Sequence, residues 1–354
     1  MKMKLTRRHT LTLALSAALA PLSNMAAHAQ DQSKPEFIVV NASGGEDEVI
    51  LREAYWNDFE RDHGIKVIVD APENFGKMRA MVESGNVTWA LANLDSNDAL
   101  RASRMNLLEE IDPAIVDRSE FLEGYNDPYA FANSIYSVVF AYHKDAFPDG
   151  GIKSWADFWD VEKFPGARAM RNSPSDNLEA ALMADGVDPK DLYPLDVDRA
   201  FRKLDEIYPH VAVWWTTAPQ QAQLLLQKEV VATTGWSTRL YNAIKNGAPI
   251  AMEYNQGLMQ FGAYAIPKGS KDGHWGQVLL SYHAKPENQA KFSTALATGG
   301  THKRASEFTD PALTPYLPSA PENVGRQVRV DLEWWADHAA EVQERWNKWM
   351  LSKS

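Results

Sequence analysis

Ser43-Gly44-Gly45 is the first group in the chain placed for solute chemistry. It follows the apolar run Phe37–Ala42 and precedes a helical pattern from about Glu46 to His63, so its backbone amides lie at the carboxyl end of a strand. Similar placements recur. Ser173 follows a strand read over Ala167–Asn172; Thr216, Thr217 and Gln220 follow Val211–Trp215; Trp236 and Arg239 follow Val230–Thr234. Helix starts at Ser173, Thr216 and Thr217 favour anions through their unpaired amides, and Arg171 and Arg239 could add positive charge. Asn133 and Ser134 sit early in the long run Phe131–Tyr142, and Gln256 and Gln260 in the stretch Tyr254–Gly269. Such a set of neutral donors and acceptors suits a small carboxylate or a neutral polar compound. Asp95, Asp98 and Asp176 keep a cationic ligand open. Each residue is equally placed to be a helix cap or a turn.

Catalytic constellations are missing. The nine histidines are scattered, with no His-x-x-x-His pair to put two metal ligands on one helix face. There is no Gly-x-Ser-x-Gly elbow, no phosphate-binding loop, and no pair of adjacent tyrosines of the kind a ferric ion would want. The expectation is therefore no metal, no cofactor and no enzyme. A secreted α/β enzyme acting on a small molecule is the alternative reading.

Composition narrows the partners. The chain has 354 residues, a formal charge of −11 and no cysteine. The lack of cysteine excludes disulfides, thiolate metal sites, a cysteine nucleophile and a lipoprotein anchor. The acidity argues against nucleic acid and anionic lipid. Residues 1–29 read as an export signal: Lys2, Lys4, Arg7 and Arg8, a short apolar run over Leu11–Leu22, and the small-residue site Ala27-His28-Ala29. The apolar run is too short for a membrane span. Thr6-Arg7-Arg8-His9-Thr10-Leu11 resembles a twin-arginine motif, and the ordinary secretory route stays open. A soluble, monomeric, periplasmic protein is expected.

Behind these residues the pattern is strand, helix, strand, which gives a mostly parallel α/β sheet. A second α/β set between Phe140 and Tyr254 is read as an insertion into the first. The stretch Tyr254–Gly269 is read as a strand end, a glycine-punctuated crossing over a cleft, and a second strand, with Asn255, Gln256 and Gln260 facing the ligand. Near the C-terminus, Val328, Leu332, Trp335, Ala339, Val342, Trp346 and Trp349 form a narrow helical seam expected to dock on the protein's own body.

Taken with Gly64-Ile65-Lys66-Val67, Lys228-Glu229-Val230, Gly235-Trp236, Ala265-Ile266-Pro267-Lys268-Gly269, Pro286–Ala290 and Leu317–Asn323, the chain resembles the extracellular solute-binding proteins of ATP-binding-cassette importers, in the branch that includes spermidine/putrescine-binding proteins. The resemblance implies an α/β, two-lobed type II periplasmic-binding-protein fold, each lobe a mostly parallel sheet flanked by helices with the ligand cleft between them. Residues 30–136 and 263–354 would form one lobe and 137–262 the inserted other. It implies hinge closure on a solute, docking on an inner-membrane permease, and no catalytic residues. Trp236 matches a tryptophan that packs on a ligand's alkyl chain. Gln260 and Gly262 stand where polyamine binders carry a tryptophan and an aspartate, so the carboxylate that would pair with an ammonium is absent there.

Overall fold

In the computed structural model, residues 34–217 and 219–353 are described, and the export signal expected over 1–29 lies outside them. The chain runs β1 (Phe37–Asn41), α1 (Glu46–Leu51), α2 (Asn57–His63), β2 (Lys66–Asp70), α3 (Phe75–Ser84), β3 (Trp89–Asp95), α4 (Ser96–Arg104) and β4 (Leu108–Glu109). A π-helical turn over Arg52–Trp56 joins α1 to α2, and Gly64 ends α2 at a positive φ of 62°, where a side chain would be strained. The second half follows: β5 (Phe131–His143), α5 (Trp155–Trp159), β6 (Arg168–Arg171), α6 (Asn177–Ala184), α7 (Val197–Ile207), β7 (Val211–Trp215), α8 (Gln220–Leu226), β8 (Ala232–Trp236), α9 (Ser237–Lys245) and β9 (Ile250–Pro267). The chain closes with α10 (Gly273–His283), α11 (Pro286–Leu296), α12 (Pro321–Val324), β10 (Val328–Arg329) and α13 (Leu332–Ser352).

Among the described residues the strands form one sheet in the order β2-β1-β3-β9-β5-β8-β6-β7, with β4 and β10 pairing on β9. β1, β2 and β3 are parallel to one another, as are β6, β7 and β8. The two parallel sets are joined through the antiparallel pair β5 and β9, which run together from Phe131↔Tyr264 to His143↔Ile250.

The stretch expected as strand, loop and strand is a single strand of 18 residues. Gly257 does not break it. The local irregularity is at Gln256, whose φ is 61°, next to a register shift against β5 between Val138 and Phe140. The Gln256 amide donates to the Arg326 carbonyl at 2.7 Å, and its own carbonyl accepts from the Trp155 indole at 2.9 Å. Those bonds satisfy the backbone where the ladder slips, so no loop is needed.

Two principal cores flank the sheet. One, around Trp56, Phe59, Phe131, Tyr264 and Leu279, is covered by α1, α2, α10 and α11. The other, around Phe140, Trp155, Leu182, Phe201 and Leu204, also takes in Trp335, Val342 and Trp346 from α13. The C-terminal seam thus docks on the protein's own body, inside the core of the second half. Its indoles donate to Glu179 at 2.6 Å, Asn172 at 2.9 Å and Asp205 at 2.8 Å. At its N-terminal end α13 also meets α4, where Arg104 pairs with Glu333 and Asp337.

Candidate functional site

The register places a site before any side chain is considered. β3 ends at Asp95, opposite Gly262, and points along β9 toward Gln260. β8 ends at Trp236, opposite Val138, and points along β5 toward Tyr136 from the other side. Tyr136 and Gln260 are themselves directly paired. The carboxyl ends of the two parallel sets therefore face each other across the Tyr136–Gln260 rung. From Leu258 to Gly262 the gap is roughly 13 Å at about 3.3 Å per residue. Helices α4 and α9 start immediately beyond β3 and β8, which turns their N-terminal amides to the same gap.

On the β3 side the groups are acidic. A cavity of about 300 Å³ is lined by Glu73, Asn93, Asp95, Asp98, Gly262 and apolar neighbours. Asp95 caps α4 by accepting from the Asp98 amide at 2.8 Å. Glu73 accepts from the Ser43 hydroxyl and, at 2.7 Å, from the Asn93 amide. Burial and then the charge of Asp95 raise the Asp98 carboxyl above its ordinary value. A second cavity, about 360 Å³, runs from Asp98 and Arg101 to Ser173, Pro174 and Ser175, so Asp98 borders both. A third, about 480 Å³, is lined by Ser96 at the start of α4, by Ala99 and Leu100, by Met259–Phe261 and by Leu332, so it too borders the rung at Gln260.

On the β8 side the groups include a cation stacked on an indole. Arg171, last residue of β6, stacks over Trp236 at 5.2 Å and pairs with Asp176 at 3.1 Å. Trp236 is fixed edge-on by Trp215 at 5.6 Å, and its amide donates to Gln221 at 2.6 Å. Asp176 is buried, with a φ of 75° that a non-glycine residue seldom adopts. Desolvation raises its carboxyl, and Arg171, Gln260 and Ser175 oppose the rise. Gln260 bridges the rung: its amide nitrogen donates to Asp176 at 2.5 Å and its carbonyl accepts from the Tyr136 hydroxyl at 3.0 Å. Burial raises the Tyr136 hydroxyl strongly, with Asp95 and Asp176 adding to the effect and Arg171 opposing it.

The expected contacts divide accordingly. Ser134, beside Gly262, lies on the rung face with Gln260 and Trp236. Ser43 and Gly44 lie at the end of β1, one strand beyond β3, and Ser173 borders the second cavity. Asn133 is turned into the core, where it is buried and bonded to His283 at 2.9 Å. A register shift in β5 between Ala132 and Ser134 puts it there. Gln256 is spent on the fold, its side chain accepting from the Trp155 amide at 3.1 Å. Thr216 and Thr217 follow β7 at the sheet edge, and their amides are not free. Both donate to the Gln220 side chain, at 2.8 and 3.0 Å. Arg239 is exposed on α9.

Tyr136 and Glu73 were missed. Tyr136 was within reach, since it stands two residues from Ser134 on the same strand and so on the same face. Glu73 gave no sequence signal, because it lies in the turn between β2 and α3.

Among the described residues no group of three or more histidines and carboxylates could hold a metal ion, and no helix is long and apolar enough to cross a membrane. The family model for bacterial extracellular solute-binding proteins matches residues 54–315. This chain belongs to that family. It is a solute-binding protein of ABC transporters with the type II periplasmic-binding fold. A gamma-aminobutyric acid-binding protein of Pseudomonas aeruginosa is 33% identical over 331 residues, 92% of each chain. The Escherichia coli spermidine/putrescine-binding periplasmic protein is more distant, 22% identical over 65% of this chain and 68% of its own. Among solved structures, an ABC transporter substrate-binding protein from Bradyrhizobium japonicum superposes with a TM-score of 0.83 at 36% identity, covering 89% of this solute-binding protein and 100% of its own chain. A GABA receptor gives 0.81 at 31% identity, over 88% and 97%.

Proposed function

We propose that this solute-binding protein captures a short zwitterion of the ω-amino acid type, such as γ-aminobutyrate, and delivers it to an ABC permease. One observation carries the reading: one set of strand ends presents carboxylates, and the facing set presents the Arg171 guanidinium beside Trp236. Glu73, Asp95 and Asp98 meet the ammonium, Arg171 takes the carboxylate, and Trp236 with Tyr136 packs on the methylenes between. A diamine leaves Arg171 facing a like charge, and a dicarboxylate faces three acids, so each desolvates a charge without its partner. The GABA-binding relatives support the choice, and the polyamine relative is the more distant.

In this reading the lobes are the two parallel sets with their helices, β5 and β9 are the crossings, and the chain closes over the rung by bending them. Residues 35–136 with 263–331 form one lobe and 137–262 the other. α13 moves with the second lobe, whose core it enters. Export by residues 1–29 brings the protein to the periplasm as a monomer, and transport needs no chemistry from it.

Isothermal titration of γ-aminobutyrate, putrescine, spermidine and succinate tests the reading. Tight binding of γ-aminobutyrate alone is expected. Binding of putrescine or spermidine with no response to γ-aminobutyrate sinks it, and turnover of the bound amino acid in the absence of a permease overturns the receptor role.

A further inference from the structure

One turn beyond Asp176, on the same side of α6, Glu179 is fully buried. One carboxyl oxygen accepts two donors, the Tyr193 hydroxyl at 2.7 Å and the Trp335 indole at 2.6 Å. The other oxygen is buried with no hydrogen-bond partner. An ionised carboxylate there would have a bare, desolvated oxygen beside the charge of Asp176, whereas a proton on that oxygen removes both costs.

The surrounding charges are already engaged. Arg171 pairs with Asp176, and Gln260 donates to it. On α7, Arg199 and Lys203 pair with Asp185, just past the far end of α6. On α5, Asp157 pairs with Lys163. On α13, Asp331 caps Trp334, Glu333 and Asp337 hold Arg104, and His338 stacks on the Trp334 ring at 4.4 Å. Among these acids Glu179 is the fully buried one with no cation paired to it.

We propose that Glu179 is a positioning residue for solute capture: its protonation balances the Arg171–Asp176 pair, so Arg171 takes a solute carboxylate more tightly at mildly acid pH. With Glu179 ionised, two carboxylates face one guanidinium, and the field opposes an incoming anion. With it neutral, the pair carries no net charge. Burial first and the Asp176 charge second raise the Glu179 carboxyl to about 7, inside the range where the switch operates. The inference rests on the zwitterion reading for its ligand, though not for its proton.

The test is calorimetric titration of γ-aminobutyrate into the full chain between pH 5.5 and 8.5, for wild type, Glu179→Gln and His338→Gln. Wild type and His338→Gln lose roughly three- to tenfold in affinity toward pH 8.5, as a unit charge several ångströms away produces. Glu179→Gln stays flat near the acid limb. A flat wild-type profile, or a Glu179→Gln profile that keeps the slope, overturns the proposal. Melting without ligand reads the proton separately. A raised acid stabilises below its unfolded value near 4.5 and loses that contribution as pH rises through about 7, so the wild type should fall behind Glu179→Gln across that range. If γ-aminobutyrate binds at no pH, the zwitterion reading fails. The coupling proposal falls with it, and the melting difference alone decides whether Glu179 holds the proton. Should Glu179→Gln not fold, Tyr193→Phe removes one donor to the carboxylate and must move the wild-type midpoint to higher pH; an unmoved midpoint overturns the proposal.

Discussion

The side-chain amide of Gln260, on β9, donates to the buried carboxylate of Asp176, at the start of α6, over 2.5 Å. It ties the central strand pair to the helix behind the cation Arg171. Gln260→Leu should leave Asp176 with one partner fewer and destabilise the fold by about 1–3 kcal/mol. Urea unfolding measures this, and an unchanged midpoint would remove Gln260 from the network.

Arg171→Met strands Asp176 as a buried, unpaired charge. Because Arg171 is one-third exposed, the expected loss is about 2 kcal/mol, below the cost of breaking a fully buried pair. Adding Asp176→Asn should recover most of that stability and none of the γ-aminobutyrate binding. A double mutant as unstable as Arg171→Met would show that the guanidinium serves packing, not charge.

Asp95→Asn separates capping from charge. Asparagine caps a helix as well as aspartate, so stability should change by less than about 0.5 kcal/mol. Affinity for γ-aminobutyrate should fall about tenfold, from one lost ammonium partner. Equal affinity would place the ammonium elsewhere.

Gly262 has room. A Cβ built there lies 3.5 Å from the Ser134 hydroxyl, an ordinary contact, and its φ is not in the left-handed region. Gly262→Asp should therefore fold and add a fourth acid to the β3 side. Putrescine affinity should rise and γ-aminobutyrate affinity fall, read in the same titration. Loss of both would mean that the added carboxylate fills the cavity.

Acid should destabilise the protein through His283. The ring stacks on Tyr55 at 3.8 Å, accepts from the Trp56 indole at 3.1 Å, and so donates from its other nitrogen to Asn133. Burial lowers its pKa to about 3. The unfolded chain takes the proton below about 6.5 and the folded chain only near 3. Stability is thus complete above 6.5 and falls with pH by up to about 1.4 kcal/mol per unit. His283→Gln should flatten that slope in urea titrations from pH 7 to 4; an unchanged slope would assign it to carboxylates.

Much of the fold was legible. The strand Val211–Trp215 and the two ends of the helical pattern Glu46–His63 were read as observed, because apolar spacing and the stop at Gly64 agree there. The β9 stretch misled because Gly257 and Gly262 suggested a break that the pairing with β5 bridges. The site was half legible. Strand ends brought Arg171 and Trp236 into the candidate set and the long run brought in Ser134, but nothing showed the Gln220 side chain that consumes the Thr216 and Thr217 amides. Nor did spacing show the slip in β5 that turns Asn133 inward. Both depend on partners settled only in three dimensions.

Trp335, Val342 and Trp346 belong to the last helix, yet they fill the core built by Phe140, Leu182 and Phe201. A chain emerging from its N-terminus can assemble the β1–β2–β3 unit early, while the second core lacks its final tryptophans until the last residues are free. Synthesis thus proceeds on a molecule whose second core stays incomplete until its last helix is free.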